Sequence, residues 1–120
     1  MVMAVRGAIK VAENTRDTIR EAVKKLVECL ARENQFVEDD VVSLVFTMTK
    51  DITAMNPATA LRETGFAGVP LFCAQEPEYD GSVPGIVRVL VTLNIEKKRK
   101  PVPVYLDGAE MLRADLFDKK

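Results

Sequence analysis

Two arginines lie inside segments of the sequence that are otherwise typical of β-strands. Arg6 interrupts apolar residues between positions 2 and 11, and Arg88 does so between positions 86 and 95. Because side chains of a strand point alternately to its two faces, each arginine falls on the less apolar face of its strand. A buried guanidinium without partners is costly, so each arginine must form an ion pair or hold an anionic ligand. Taken alone, both residues fit either interpretation.

Three further residues add to this chemistry. Arg62 is a third arginine in an apolar context, and Tyr105 lies in a short apolar segment near the end of the chain. Glu76 directly precedes Pro77, where a carboxylate can be held in place. Arginine supplies a planar fork of donors that matches carboxylates and phosphates. For Glu76, three roles stay open: surface acid, partner of an arginine, and ligand-binding group. For Tyr105, the alternative to a site role is that of an ordinary strand residue whose ring is packed.

The composition excludes several classes of reaction. The chain has no histidine, only two cysteines and a formal net charge of -1. A histidine-based triad is therefore impossible, and neither metal-ligand spacing nor a glycine-rich phosphate loop occurs in the sequence. The basic run at 97–100 has no interleaved aromatic residues, so it predicts a solvated turn and no nucleic-acid binding. We therefore expect a site without cofactor or metal, which acts by orientation and electrostatics.

The length and the hydropathy pattern predict one soluble domain over residues 1–120. With 48% hydrophobic and 29% charged residues, a chain of 120 residues can bury one core. No segment reaches the length of a membrane span, and the N-terminus lacks the pattern of a signal peptide. We therefore expect a cytoplasmic protein that does not bind membranes. The tail over 115–120 is expected to be mobile.

Two helices are predicted between the strands. Apolar residues recur at steps of three and four from residue 19 to residue 31, and Asn14 or Thr15 can cap the start of that helix. Asn56 and Pro57 predict the start of a second, shorter helix. Gly65 is expected to end it, since glycine tolerates the left-handed conformation. The longer helix is expected to cover one face of a sheet.

The remaining apolar segments predict five strands and an α/β, or α+β, fold. In chain order we expect strands at 2–11, 41–49, 70–75, 86–95 and 102–106, with a loop over 76–85. Pro103 favours an edge position for the last strand. This order predicts a mixed sheet backed by helices on one face. The other face must be hidden in some other way, and subunit association is the simplest.

Short motifs along the chain resemble those of the AroH-type chorismate mutases. They extend from Arg6 to about Leu116, and it is their order and spacing together that make the resemblance specific. The motifs are Val5-Arg6-Gly7-Ala8, Pro57-Ala58 with Arg62, Cys73-Ala74-Gln75-Glu76, Ile86-Val87-Arg88-Val89 and Val104-Tyr105-Leu106, followed by Leu112-Arg113-Ala114-Asp115-Leu116.

The resemblance implies a barrel-like homotrimer with active sites between its subunits. The family converts chorismate to prephenate on the route to phenylalanine and tyrosine. The reaction is an intramolecular Claisen rearrangement, which requires no nucleophile, base, metal or cofactor. A chain without histidine is compatible with that reaction, and a sheet with one uncovered face is compatible with that assembly.

The resemblance also implies roles for the candidate residues. Arg88 is similar to the arginine that donates to the ether oxygen of chorismate, where negative charge develops, and Arg6 to the one that binds a substrate carboxylate. Glu76 is similar to the acceptor from the ring hydroxyl, and Tyr105 to the tyrosine that positions the enolpyruvyl group. The implied substrate-binding set also contains an arginine at the mouth, Arg62, and an apolar wall residue, Leu112. It further contains Cys73, which is similar to a cysteine beside the glutamate, and the residues Thr59 and Phe72.

Three positions depart from the pattern of the family. Asn56 replaces a common aromatic residue, Thr59 a frequent lysine and Ala114 a frequent proline. These differences concern the pocket wall and the closure of the tail.

The sequence leaves three alternatives to an active mutase: a trimeric binding protein for small carboxylates, a diverged inactive member, and a trimeric imine deaminase of similar shape.

Overall fold

A computed structural model describes residues 1–117, which form a five-stranded sheet with two helices packed on one face. The strands are β1 (Val2–Lys10), β2 (Val41–Met48), β3 (Leu71–Gln75), β4 (Ile86–Asn94) and β5 (Val104–Leu106). The helices are α1 (Arg16–Asn34), α2 (Pro57–Thr64) and the short α3 (Ala114–Phe117), and 3₁₀ helices cover Glu38–Asp40 and Ala109–Arg113.

The strands are arranged in the order β3-β2-β4-β1-β5. β4 pairs antiparallel with both of its neighbours, whereas β1/β5 and β2/β3 are parallel pairs. The mixed sheet backed by helices is therefore confirmed. β5 lies at an edge, as Pro103 indicated, and it is shorter than predicted. Its pairing begins only at Val104, because proline has no N–H to donate to a neighbouring strand.

Thr15 caps the start of α1, and the predicted apolar stripe packs this helix against the sheet. The Thr15 Oγ1 accepts a hydrogen bond from the backbone N–H of Thr18 at 3.2 Å. Gly7 in β1 lets the helix come close, because a Cβ there would lie 2.9 Å from Leu30 Cδ1 and 3.0 Å from the carbonyl oxygen of Val104. The buried apolar residues of the stripe are Ile19, Ala22, Val23, Leu26, Val27 and Leu30.

Asn56 starts α2 and Gly65 ends it, both as predicted. The Asn56 Oδ1 accepts a hydrogen bond from the backbone N–H of Ala58 at 2.8 Å. The backbone of Gly65 has φ +151° and ψ −171°, a positive φ that favours glycine but lies outside the left-handed helical region. Phe66 adopts a φ of +55° instead, and Glu38 Oε1 holds it there by accepting its N–H at 2.8 Å.

The two faces of the sheet differ in what covers them. The inner face packs under α1 and α2, and its β4 residues are almost fully buried: Val87, Val89, Val91 and Leu93. The outer face carries exposed apolar side chains, including Phe72 at 66% and Leu90 at 45%. Segment 109–113 packs on one part of this outer face, against Ala8 and Tyr105. The polar candidates of the strands therefore lie on a face that the chain itself leaves largely open.

Beyond segment 109–113 the chain continues into the short helix α3. Of the tail predicted over 115–120, residues 115–117 belong to α3, and residues 118–120 lie outside the described residues. In the part of the chain that the structure describes, no helix is both long enough and apolar enough to cross a membrane.

Candidate active site

A row of paired residues crosses the outer face near the middle of the sheet. The register places Thr47 of β2 beside Arg88 of β4, Arg88 beside Ala8 of β1, and Ala8 beside Tyr105 of β5. Directly paired residues of adjacent strands point to the same face, so all four side chains share the outer face. Ala8 is small and fully buried, because segment 109–113 packs over it and Tyr105.

Glu76 binds Arg88 at one end of this row. The Arg88 Nε donates to Glu76 Oε2 at 2.9 Å, and the Thr47 hydroxyl donates to the same oxygen at 2.6 Å. Glu76 follows β3, and its backbone N–H donates to the carbonyl of Met48 at 2.8 Å, which extends the pairing of β3 with β2 by one step. The Glu76 side chain is only 13% exposed, whereas that of Arg88 is 34% exposed. The carboxylate is thus held by two donors, while about a third of the Arg88 side chain stays accessible.

The two strand arginines are less buried than we expected from the sequence. Arg6 is exposed, and Arg88 is half-buried. The expectation of burial was wrong for the single chain because the helices cover only the inner face. Of the two alternatives, the ion pair applies to Arg88, which has Glu76 as its partner. Arg6 has a side chain that is open to a ligand.

A groove of about 380 Å³ brings the strand arginines together with Tyr105. Arg6, Arg88, Tyr105 and Arg113 all line it. Leu112 is half-buried beside Tyr105, where it packs against the apolar cluster on this part of the outer face. The chain therefore gathers in one place most of the residues to which the resemblance gave catalytic roles. Three guanidinium groups around one groove suit a ligand with carboxylate groups.

Arg88 and Glu76 also line a second groove, of about 260 Å³, on the side of loop 76–85. Lys50 Nζ lies 2.7 Å from Glu78 Oε2 at this groove and ties the loop to the end of β2. The hydrogen bond and the charge of Glu78 raise the pKa of Lys50. Arg88 thus lies between two openings, and the loop bounds one of them.

Arg113 is a site residue that the sequence analysis missed. Its Nε and Nη2 donate to the two carboxylate oxygens of Asp115 at 3.0 and 2.8 Å. This hydrogen bonding lowers the pKa of Asp115 and raises the pKa of Arg113, to which a hydrogen bond with Tyr105 makes a smaller contribution. Arg113 stood within one of the motifs that carried the resemblance, and that position was the available signal.

Four residues of the implied substrate-binding set lie elsewhere in the chain. Thr59 and Arg62 are exposed on α2, and Phe72 and Cys73 belong to the edge strand β3. The two grooves lined by Arg88 contain none of these four residues. Asn56, which replaces the aromatic residue implied by the resemblance, caps the start of α2. One chain therefore holds two separate groups of candidate residues.

Cys73 lies on the inner side of β3, away from Glu76. It is paired with the buried Phe46, and its Sγ lies 3.1 Å from Met48 Sδ. Burial raises the pKa of the Cys73 thiol, although the backbone N–H of Ala58 acts in the opposite direction. The thiol is therefore protonated at neutral pH and is a poor nucleophile.

Known proteins match the chain over nearly its whole length. The family model described as "Chorismate mutase type I" matches residues 2–116. The chain is 37% identical to the chorismate mutase AroH of Thermus thermophilus over 118 residues, which are 97% of either protein. It is 34% identical to that of Bacillus subtilis, covering 97% of this chain and 93% of the relative. A solved chorismate mutase from Clostridium thermocellum superimposes with a TM-score of 0.86 at 39% identity, covering 91% of this chain and 98% of that structure.

Proposed function

The chain belongs to the chorismate mutase type I family, and we propose that it converts chorismate to prephenate at a site that two subunits share. As a chorismate mutase it is an isomerase of aromatic amino-acid biosynthesis. The observation that supports the site best is Arg88, which is fixed by Glu76 and half-exposed beside a groove that two further arginines line. The homotrimer and the cytoplasmic location that we expected from the sequence are part of the same proposal.

The reaction suits a site without a nucleophile. In the rearrangement one carbon–oxygen bond of chorismate breaks and one carbon–carbon bond forms within the same molecule, so no group has to leave or be carried. The protein has to hold the reactive conformation of the substrate and to stabilise the charge that develops as the ether bond breaks. The chain contains no histidine, and arginines with a carboxylate and a tyrosine are sufficient for both tasks.

We assign the charge stabilisation to Arg88. Its exposed guanidinium donates to the ether oxygen, on which negative charge develops in the transition state. Arg6 binds a carboxylate of the substrate from the neighbouring strand. Glu76 accepts a hydrogen bond from the ring hydroxyl through the oxygen that Arg88 and Thr47 do not use. Tyr105, packed beside Leu112, positions the enolpyruvyl group.

The position of the second group of residues supports a shared site. Arg62, Thr59, Phe72 and Cys73 do not line the groove of their own chain, and the outer face that carries the groove has exposed apolar side chains. A neighbouring subunit that covers this face would bury the apolar side chains and add its α2 and β3 residues to the groove. Arg62 of that subunit would then supply the cation at the mouth. A closed ring of three chains repeats the same contact three times.

The chorismate absorbance assay tests the activity. We expect the absorbance of chorismate to fall on addition of purified protein, at a rate proportional to the protein concentration and far above the rate in buffer. Light scattering in the same buffer is expected to give the mass of three chains. An unchanged rate would overturn the proposed function, and the mass of one chain would overturn the shared site.

Mixed subunits test the sharing of the site. We expect Arg88→Ala and Arg62→Ala to be nearly inactive when each is assembled alone. Mixed at equal amounts through unfolding and reassembly, they form sites in which one chain supplies Arg88 and its neighbour supplies Arg62. In a symmetric ring about a quarter of the sites are then intact. The matched control mixes Arg88→Ala with Glu76→Ala, whose residues come from the same chain, and we expect no recovery. No recovery in the first mixture would contradict the shared site.

A further inference from the structure

We propose that Thr47 is a positioning residue, which keeps Glu76 singly bonded to Arg88 and so leaves the terminal nitrogens of Arg88 free for the substrate. This inference rests on the proposed function, since it concerns the same site. Thr47 has no role in the resemblance described above. It acts through Glu76 and does not have to touch the substrate.

The hydrogen bonds at Glu76 carry this inference. A carboxylate oxygen can accept two hydrogen bonds, and Glu76 Oε2 receives one from the Thr47 hydroxyl at 2.6 Å and one from Arg88 Nε at 2.9 Å. Within residues 1–117, these are the hydrogen bonds to the carboxylate of Glu76, and both go to one oxygen. The other oxygen, Oε1, is left for a further donor, such as the ring hydroxyl of chorismate.

Arginine and carboxylate prefer a different arrangement when nothing opposes it. In the common forked arrangement two N–H groups of the arginine bind the two carboxylate oxygens. Arg113 and Asp115 form such a fork in this protein. Arg88 and Glu76 do not, because the Thr47 hydroxyl holds Oε2 on its own side. Without that hydroxyl, Glu76 would turn until both of its oxygens bound Arg88, and a terminal nitrogen would be lost to the substrate.

The sheet places the Thr47 hydroxyl where this task requires it. Thr47 is directly paired with Arg88 on β4 and with Ala74 on β3, so its side chain lies on the outer face between Arg88 and the end of β3. A β-branched side chain in a strand has few rotamers, which limits the directions that the hydroxyl can take. Glu76 lies two residues beyond Ala74, on the same face of the chain.

Thr47→Val tests the inference, because valine keeps the shape and removes the hydroxyl. Because Thr47→Val removes a hydrogen bond to a charged group, which is stronger than one between neutral groups, we expect kcat to fall about tenfold or more. KM is expected to change much less. Thr47→Ser restores the hydroxyl, and we expect it to return most of the lost kcat. Thr92→Val is the matched control, because Thr92 of β4 also lies on the outer face but is paired with Ala4 and Ser43. The kcat of this variant should equal that of the parent.

A double-mutant cycle separates positioning from a general structural role. If Thr47 acts through Glu76, Thr47→Val should lower kcat no further in a Glu76→Ala background. A parental kcat in Thr47→Val, a serine variant as slow as the valine variant, or the full effect in the Glu76→Ala background would each overturn the inference. An inactive parent protein would instead overturn the proposed function, so the two failures are distinguishable. Should Thr47→Val not fold, the serine variant compared with Thr47→Ala gives the same test.

Discussion

Two arginine–carboxylate pairs lie beside the same groove, and they differ in how many donors they use. Arg113 binds both oxygens of Asp115, through Nε and Nη2, and the two residues are close neighbours in the chain. Arg88 donates to Glu76 through Nε, and Thr47 occupies the second position on the same oxygen. The partner of Arg88 follows another strand and is itself held by Thr47 of a third, whereas Arg113 finds its partner two residues away.

Both arginines are ion-paired, but Arg113 uses two of its donors on its carboxylate, whereas Arg88 uses only Nε. In a forked pair, the donors that face the carboxylate are already used. A ligand would have to break those two hydrogen bonds before it could bind them. A single bond through Nε holds the guanidinium in place and keeps its terminal nitrogens available. Positive charge near a groove is therefore not sufficient for catalysis. The arrangement assigns the charge stabilisation to Arg88 and a supporting role, through Tyr105, to Arg113.

Arg88→Lys is expected to have the largest effect of the three variants that test this comparison. Lysine keeps the charge but has no Nε to bind Glu76 while it donates to the substrate. We expect kcat to fall by about two orders of magnitude, close to the loss of an oxyanion-hole donor. Steady-state kinetics with chorismate measure it, with Arg113→Lys as the matched control. If the two lysine variants kept equal activity, the geometry of Arg88 would not matter.

Arg113→Ala is expected to have a smaller effect. Exposed ion pairs contribute about 0–1 kcal/mol, so we expect kcat/KM to fall by at most about fivefold. The loss should appear mainly in KM, because Arg113 acts on Tyr105 and the groove wall rather than on the breaking bond. A loss of kcat as large as that of Arg88→Lys would show that both arginines act in the transition state.

Asp115→Asn is expected to have the smallest effect, and it depends on pH. Arg113 lowers the pKa of Asp115 in the folded protein, so the ionised carboxylate stabilises the fold above the usual carboxyl pKa of 3.8. That contribution disappears as the pH falls through the lowered pKa. We therefore expect Asp115→Asn to lower the melting temperature slightly at pH 7, and the difference from the parent to vanish in strong acid. A difference of the same size at both pH values would contradict this account.

Most of the fold was predictable from the sequence because local signals agreed with tertiary packing. The stripe from Ile19 to Leu30 and the caps at Thr15 and Asn56 lie as the pattern indicated. The end of α2 was not predictable in detail. There the long-range hydrogen bond from Phe66 to Glu38 decides which residue takes the left-handed conformation, and spacing along the chain does not reveal such a contact.

The site was predictable in its residues but not in its hydrogen bonds. Arg6, Arg88 and Tyr105 stood out because polar side chains interrupt apolar strands, and the structure gathers them in one groove. Thr47 gave no such signal, since a threonine in a strand is ordinary. Its role depends on the register that pairs β2 with β4, which is set by the whole sheet. The separation of Arg62 from that groove likewise follows from the topology.

The kinetics of Arg88→Ala test the central claim most directly. If Arg88 is the main electrostatic catalyst, kcat for chorismate should fall by about two to three orders of magnitude, while the circular dichroism spectrum and the subunit count stay those of the parent. An Arg88→Ala protein that is folded and assembled and turns over chorismate at the parental rate would contradict the account.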